Sequence, residues 1–179
     1  RFIGHVQLIT HHRHLVIAHC AKAGILWQGL LHDLSKYSPA EFMPGVKHYN
    51  GSHSPTEDER SRYGYSAAWM HHKGRNKHHW EYWTDFNDDG SIKCAKIPYK
   101  YVVEMVCDWI GAGKVYSKDQ WSQRSPLEYY YKVRAGRHFH KSTESLIIAL
   151  LSAIAEYGLD EFHTAAKGKK LKEYYKQMP

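Results

Sequence analysis

Between Tyr99 and Ala112 the apolar residues Val102, Val103, Met105, Val106, Trp109 and Ile110 recur at helical spacing around one acid pair, Glu104 and Asp108. Such a stretch is a helix buried over most of its circumference. The run SLIIALLSAIAEYG from Ser145 to Gly158 is a second, with glycine at its end as a stop. In a third, Phe2, Ile9, Val16 and Ala23 mark one face of a helix, widened by Val6 and Leu15. No alternating run of useful length and no internal repeat is present. The sequence therefore predicts an all-α fold, and 179 residues suit one helical domain over 1–179.

Shorter elements fill the intervals. Ile25 to Leu34 is almost wholly apolar, so it predicts a short buried helix whose ionisable members are His32 and Asp33. Ser38-Pro39-Ala40-Glu41 reads as a helix start with a capping box, running to about His48. Thr56, followed by Glu57, Asp58 and Glu59, starts a helix that reaches a histidine run and breaks near Gly74 and Asn76, with a short helix resuming over 77–83. Residues 84–98 read as loop. Within them DFNDDG matches half of a calcium-binding loop, but Lys96 stands where a bidentate Glu is needed, so a polar turn is expected. Ser125-Pro126-Leu127-Glu128 opens the C-terminal helices of 125–179.

Three cysteines, Cys20, Cys94 and Cys107, have no paired spacing and read as reduced thiols rather than a disulfide framework or zinc ribbon. No run of eighteen apolar residues exists, which predicts a soluble cytoplasmic protein with no membrane partner. A net charge of +7 favours anionic partners. Lys167, Lys169, Lys170, Lys172 and Lys176 concentrate it at the C-terminus, as a solvated helix face or as a contact for nucleic acid. Oligomeric state is not legible.

Fifteen histidines, four of them in HHKGRNKHH, are far above an ordinary share, and imidazole in such density points to metal. The pair His32-Asp33 in an apolar segment sharpens this. A buried carboxylate needs a partner to stay ionised, and a divalent ion supplies one. The alternative is structural, with Asp33 capping the next turn and His32 bonded in the core. Three features favour the ion. His5 lies on the apolar face that carries Ile9, His12 and Val16. Asp108 sits in an apolar helix and faces the same desolvation problem. His71, His72, His78 and His79 pair at seven-residue spacing, a return to one face if the helix continues.

The order His…His-Asp…His…His…Asp resembles the HD-domain superfamily of metal-dependent phosphohydrolases. The strings HDLSKYSPAEF, AWMHHKGRNKHHWEYW and EMVCDWI are similar to those of small HD-like proteins of bacteria and their phages. The resemblance covers the metal-site motifs within 2–113 and implies an HD-like helical bundle. It makes His5, His32, Asp33 and Asp108 ligands of a first metal and places Lys36 beside it. His71, His72, His78 and His79 would hold a second, with Asp33 as the bridge. His12 rivals His5, because HRHLVIAHC mimics the same first motif, and His14 and His11 are further candidates.

The expected activity is hydrolysis of a small phosphorylated compound or nucleotide with one or two divalent ions, Fe, Mn, Zn, Ni or Co not being distinguished. Asp33 and Lys36 would be catalytic, and Lys36, Lys73 and Arg75 would meet phosphoryl oxygens. Glu104, one turn before Asp108, would orient a ligand imidazole or be paired elsewhere. Two readings compete: a di-iron oxygenase on the same ligands, and a non-catalytic module that binds metal or, through the basic C-terminus, nucleic acid.

Overall fold

A computed structural model describes residues 1–179 as ten α-helices and one small hairpin, the all-α fold expected. Three long helices make the centre: α1 (Phe2–Lys22), α6 (Tyr99–Ser117) and α8 (Lys141–Tyr157). α1 turns His5, Ile9, His12, Val16, His19 and Cys20 inward and lies along α6. α6 contributes Val102, Val103, Val106 and Ile110, and α8 contributes Ile147, Leu150, Leu151 and Ile154, to one hydrophobic core. Each of these side chains is shielded from water, a gain of about 1.5–3 kcal/mol apiece before entropy is counted. Gly158, at φ 94°, ends α8.

The remaining helices are short: α2 (Leu26–Leu31), α3 (Pro39–His48), α4 (Pro55–Tyr63), α5 (Ala67–Lys73), α7 (Ser125–Val133), α9 (Leu159–Lys167) and α10 (Lys169–Gln177). Tyr175 ties α10 to the start of α6, its hydroxyl donating to the Ile97 carbonyl at 2.6 Å. No helix is long and apolar enough to cross a membrane.

Three local expectations change. The apolar helix after Gly24 ends at Leu31, so His32 and Asp33 stand on the turn that follows it, and Leu26, Trp27, Leu30, Leu31 and Leu34 are exposed. Its inward side is Gly29, where backbones approach closely. The helix expected from Thr56 into the histidines is two, α4 and α5, separated at Gly64 (φ 79°), and residues 80–83 form a single tight 3-10 turn. Residues 84–98 contain two strands, β1 (Thr84–Phe86) and β2 (Ile92–Cys94), antiparallel with Phe86 opposite Ile92. DFNDDG closes this hairpin as a polar turn in which Asp89 accepts from the Ser91 amide at 2.9 Å.

Gly29 sets the position of α2. A Cβ there would lie 2.7 Å from Cys20 Cβ and 3.1 Å from Ile17 Cα, which is backbone and cannot swing away. Gly29→Ala is expected to cost about 1–3 kcal/mol through overpacking. A melting curve should fall by several degrees; an unchanged curve would mean that the α1–α2 contact relaxes freely.

A candidate metal centre

The turn after α2 delivers the two central side chains. His32 is extended (φ −53°, ψ 127°), and Asp33 is left-handed (φ 54°, ψ 25°), a conformation that Asp tolerates better than most residues. The reversal sends both side chains inward, each residue being 1 % exposed. His12 reaches them from α1, and Glu104 and Asp108, one turn apart, from α6.

Four atoms converge. His12 Nε2 lies 3.4 Å from His32 Nε2, 3.7 Å from Asp33 Oδ2 and 3.0 Å from Asp108 Oδ1. His32 Nε2 lies 3.3 Å from Asp33 Oδ2 and 3.5 Å from Asp108 Oδ1. Ligands of a tetrahedral ion with bonds of about 2.0–2.1 Å stand about 3.3 Å apart. The spacing thus matches a coordination shell.

A second group uses the other oxygen of the same carboxylate. Asp33 Oδ1 is 3.3 Å from His72 Nε2 and 3.5 Å from His78 Nε2, and His79 completes the set. Asp33 Oδ1, His78 Nε2 and His79 Nε2 are buried and make no hydrogen bond. Buried polar atoms without partners are costly, and a cation here would supply the partner that these three lack. Buried His and Asp side chains are therefore positioned to hold metal in two adjoining groups.

Two glutamates orient the imidazoles. Glu104 Oε1 accepts from His32 Nδ1 at 3.0 Å and from His78 Nδ1 at 3.1 Å, while its Oε2 accepts from Gln28 at 2.9 Å. Glu41 accepts from His72 Nδ1 at 2.7 Å and from His71 Nδ1 at 2.6 Å. With Nδ1 occupied as donor, the Nε2 lone pairs of His32, His72 and His78 face the centre, the arrangement metal-binding histidines adopt. Glu41 makes no capping box for α3: its carboxylate serves the histidines, and Ser38 makes no side-chain cap.

The electrostatics follow from the packing. Burial works against the charge on Asp33, but His32 and Lys36 overcome it and hold the carboxyl well below its usual range. Asp108 is held down likewise, chiefly by His12 and His32 against burial. Glu104 is brought to about 2, burial opposing and His32 and His78 prevailing. Burial, then the neighbouring His78, pushes His79 well below an ordinary imidazole, so it stays neutral and free to ligate. Lys36 Nζ sits 2.6 Å from Asp33 Oδ2.

Of the sequence-predicted residues, His32, Asp33, Asp108, His72, His78 and His79 come together in these groups, with Lys36 against Asp33. His5 does not. Its ring fills the space over Gly45 and packs edge-on to Phe42, and His12, seven residues on along the same face, takes the place expected for it. His71 faces Glu41 rather than the centre. Lys73, the last residue of α5, and Arg75, just beyond it, are not among the residues that line the cavity.

That cavity, about 540 Å³, opens directly from Asp33 and Asp108. Trp69, Trp80, Trp109, Tyr116 and Tyr129 are among its walls, with Arg137. Tyr130, the neighbour of Tyr129, is core, 0 % exposed, and Trp121 packs beside Gly113. Glu41 and Arg137 were not legible as site residues. A helix-start glutamate reads as a cap, and nothing near Arg137 in sequence marks it.

The model of a family of unknown function, DUF5662, matches residues 2–153. The chain belongs to this family. The DUF5662 match spans every residue of both His and Asp groups and extends through Arg137 into α8, leaving α9 and α10 beyond it. No curated protein and no solved structure matches the chain.

Proposed function

We propose that the chain is a metal-dependent hydrolase of phosphate esters that works with two divalent ions. The observation that carries this reading is the division of Asp33: Oδ2 faces His12, His32 and Asp108, and Oδ1 faces His72 and His78, with three buried atoms otherwise unpartnered. Ions held there would acidify water and polarise a phosphoryl oxygen. The resemblance of the motif order to HD-domain phosphohydrolases supports the same class.

The chain's own residues supply the rest. Glu104 and Glu41 fix three imidazoles so that little reorganisation is needed. Lys36, beside Asp33 and lining the cavity, offers a positive charge to phosphoryl oxygens. The tryptophans exclude water from the ester's other side. The seven ligating side chains, five of them imidazole, also suit iron, and dioxygen chemistry is the competing outcome.

Metal-free protein reloaded with Mn, Fe, Zn, Ni or Co in turn should release phosphate from p-nitrophenyl phosphate with at least one of them. An iron form that consumes dioxygen and releases no phosphate would replace this reading by an oxygenase. Elemental analysis separates the two candidate first ligands: His12→Ala should lose about one ion per chain, and His5→Ala should retain both. The reverse pattern would return His5 to the centre.

A further inference from the structure

The cavity has two permanently charged cations, Lys36 and Arg137, and they differ in one respect. Lys36 is neutralised by Asp33 at 2.6 Å. Arg137 has no carboxylate within 4.0 Å. It follows the turn Arg134–Gly136 in an extended conformation, and its guanidinium lies over the Trp109 ring at 4.8 Å and the Tyr129 ring at 5.3 Å. Its one side-chain hydrogen bond is from Nη2 to the Tyr129 hydroxyl at 2.7 Å. The aromatic faces hold the guanidinium in place while leaving most of its planar donor fork unused.

No carboxylate reaches the rest of that fork: Glu57 and Glu81, which line the cavity and form no ion pair, both lie more than 4.0 Å from the guanidinium. Arg137 is half-buried rather than on an open surface. The cavity's other acids are committed elsewhere: Glu41 to His71 and His72, Glu59 to Ser66, and Asp33 and Asp108 to the histidines and Lys36. Its platform Trp109 follows Asp108 on α6, so the cation and one of the candidate ion ligands are set by neighbouring residues of one helix. The next residues close over the same wall, His138 against Trp80 at 5.7 Å and Phe139 against Trp80 at 6.2 Å.

We infer that Arg137 seats a second anionic group of the substrate, a carboxylate or another phosphate, carried across the aromatic cavity from the ester phosphate. The inference rests on the phosphoester reading for the first anion and makes Arg137 the specificity-determining residue for the second. A fork of free donors on a rigid support suits a planar carboxylate or a phosphate, and partial burial strengthens the bond relative to water.

The test uses metal-loaded full-length protein and three probes: phenyl phosphate, 4-carboxyphenyl phosphate and 1,4-phenylene bisphosphate. Binding is read from tryptophan fluorescence, which needs no turnover, and phosphate release is read separately. Either doubly anionic probe should bind roughly tenfold or more tighter than phenyl phosphate. Arg137→Gln should bring that ratio near one, and Arg137→Lys, which keeps the charge without the fork, should restore part of it. Equal affinities in the unmodified protein, or a preference that survives Arg137→Gln, would overturn the inference. Hydrolysis of phenyl phosphate without any preference refutes Arg137 alone. A preference lost in Arg137→Gln without hydrolysis of any probe refutes the hydrolase reading alone.

Discussion

Asp33→Asn should empty both ion positions and lower ester hydrolysis at least about a thousandfold, because several kcal/mol of transition-state stabilisation depends on the ions. The substitution isolates charge from shape. Asn tolerates the left-handed backbone at φ 54° at least as well as Asp, and it fills the same volume, so the turn after α2 should survive. What is lost is the carboxylate whose two oxygens face two separate sets of imidazoles. Elemental analysis beside a circular dichroism spectrum reads both consequences. A folded variant that keeps its full complement of metal would remove Asp33 from the centre.

Chelation should lower the melting temperature by roughly 10–20 °C at pH 7.5. Each ion held at about a hundred times its dissociation constant contributes about 2.7 kcal/mol, and a domain of this size shifts by about 2–4 °C per kcal/mol. The effect has a definite sign with pH. In metal-free protein, Asp33 and Asp108 titrate below their unfolded values, so their contribution is present above about pH 4 and lost as pH falls through the depressed values. His32 and His72 titrate above theirs: burial opposes the shift, and Asp33 overcomes it. Their contribution is complete below about pH 6.5 and lost as pH rises through the raised values. The metal-free site is therefore best balanced between those limits and weakens on the alkaline side. Ion binding requires neutral imidazole and strengthens as pH rises. The difference in melting temperature with and without metal should widen from pH 5.5 to pH 8, and a chelator that leaves the melt unchanged at pH 7.5 would exclude bound ions.

Helix type was legible wherever apolar spacing ran long enough, as in α1, α6 and α8, because a 3.6-residue period admits one secondary structure. Direction was less so. The six residues of α2 are nearly all apolar, and composition predicted burial, yet the side that packs is Gly29, leaving Trp27 76 % exposed. Spacing assigns a face only when polar residues mark the opposite one.

The centre was legible in residue type more than in position. Its acids, Asp33 and Asp108, stood out because a carboxylate in an apolar run needs a partner. Periodicity places His5 and His12 on one face of α1 but cannot give the height at which α6 crosses, and that height selects His12. The histidine doublets meet the centre for a reason other than their seven-residue spacing. Gly74 ends α5, and the chain doubles back so that His78 and His79 approach from a turn while His72 approaches from a helix. Glu41 carried two compatible meanings in sequence, helix cap and histidine partner, and tertiary packing chose the second.

The residues placed to hold ions all lie between His12 and Asp108, whereas another part of the cavity wall is drawn from Trp109, Tyr129 and Arg137, with His138 and Phe139 packed on Trp80 beside it. Apart from Trp109, which adjoins Asp108 on α6, that part of the wall thus comes from chain beyond the candidate centre. Substitutions in the connection between α7 and α8 can reshape what the cavity admits while the histidines and aspartates keep their positions. In such a layout the capacity to hold ions and the choice of what is brought to them are free to diverge independently.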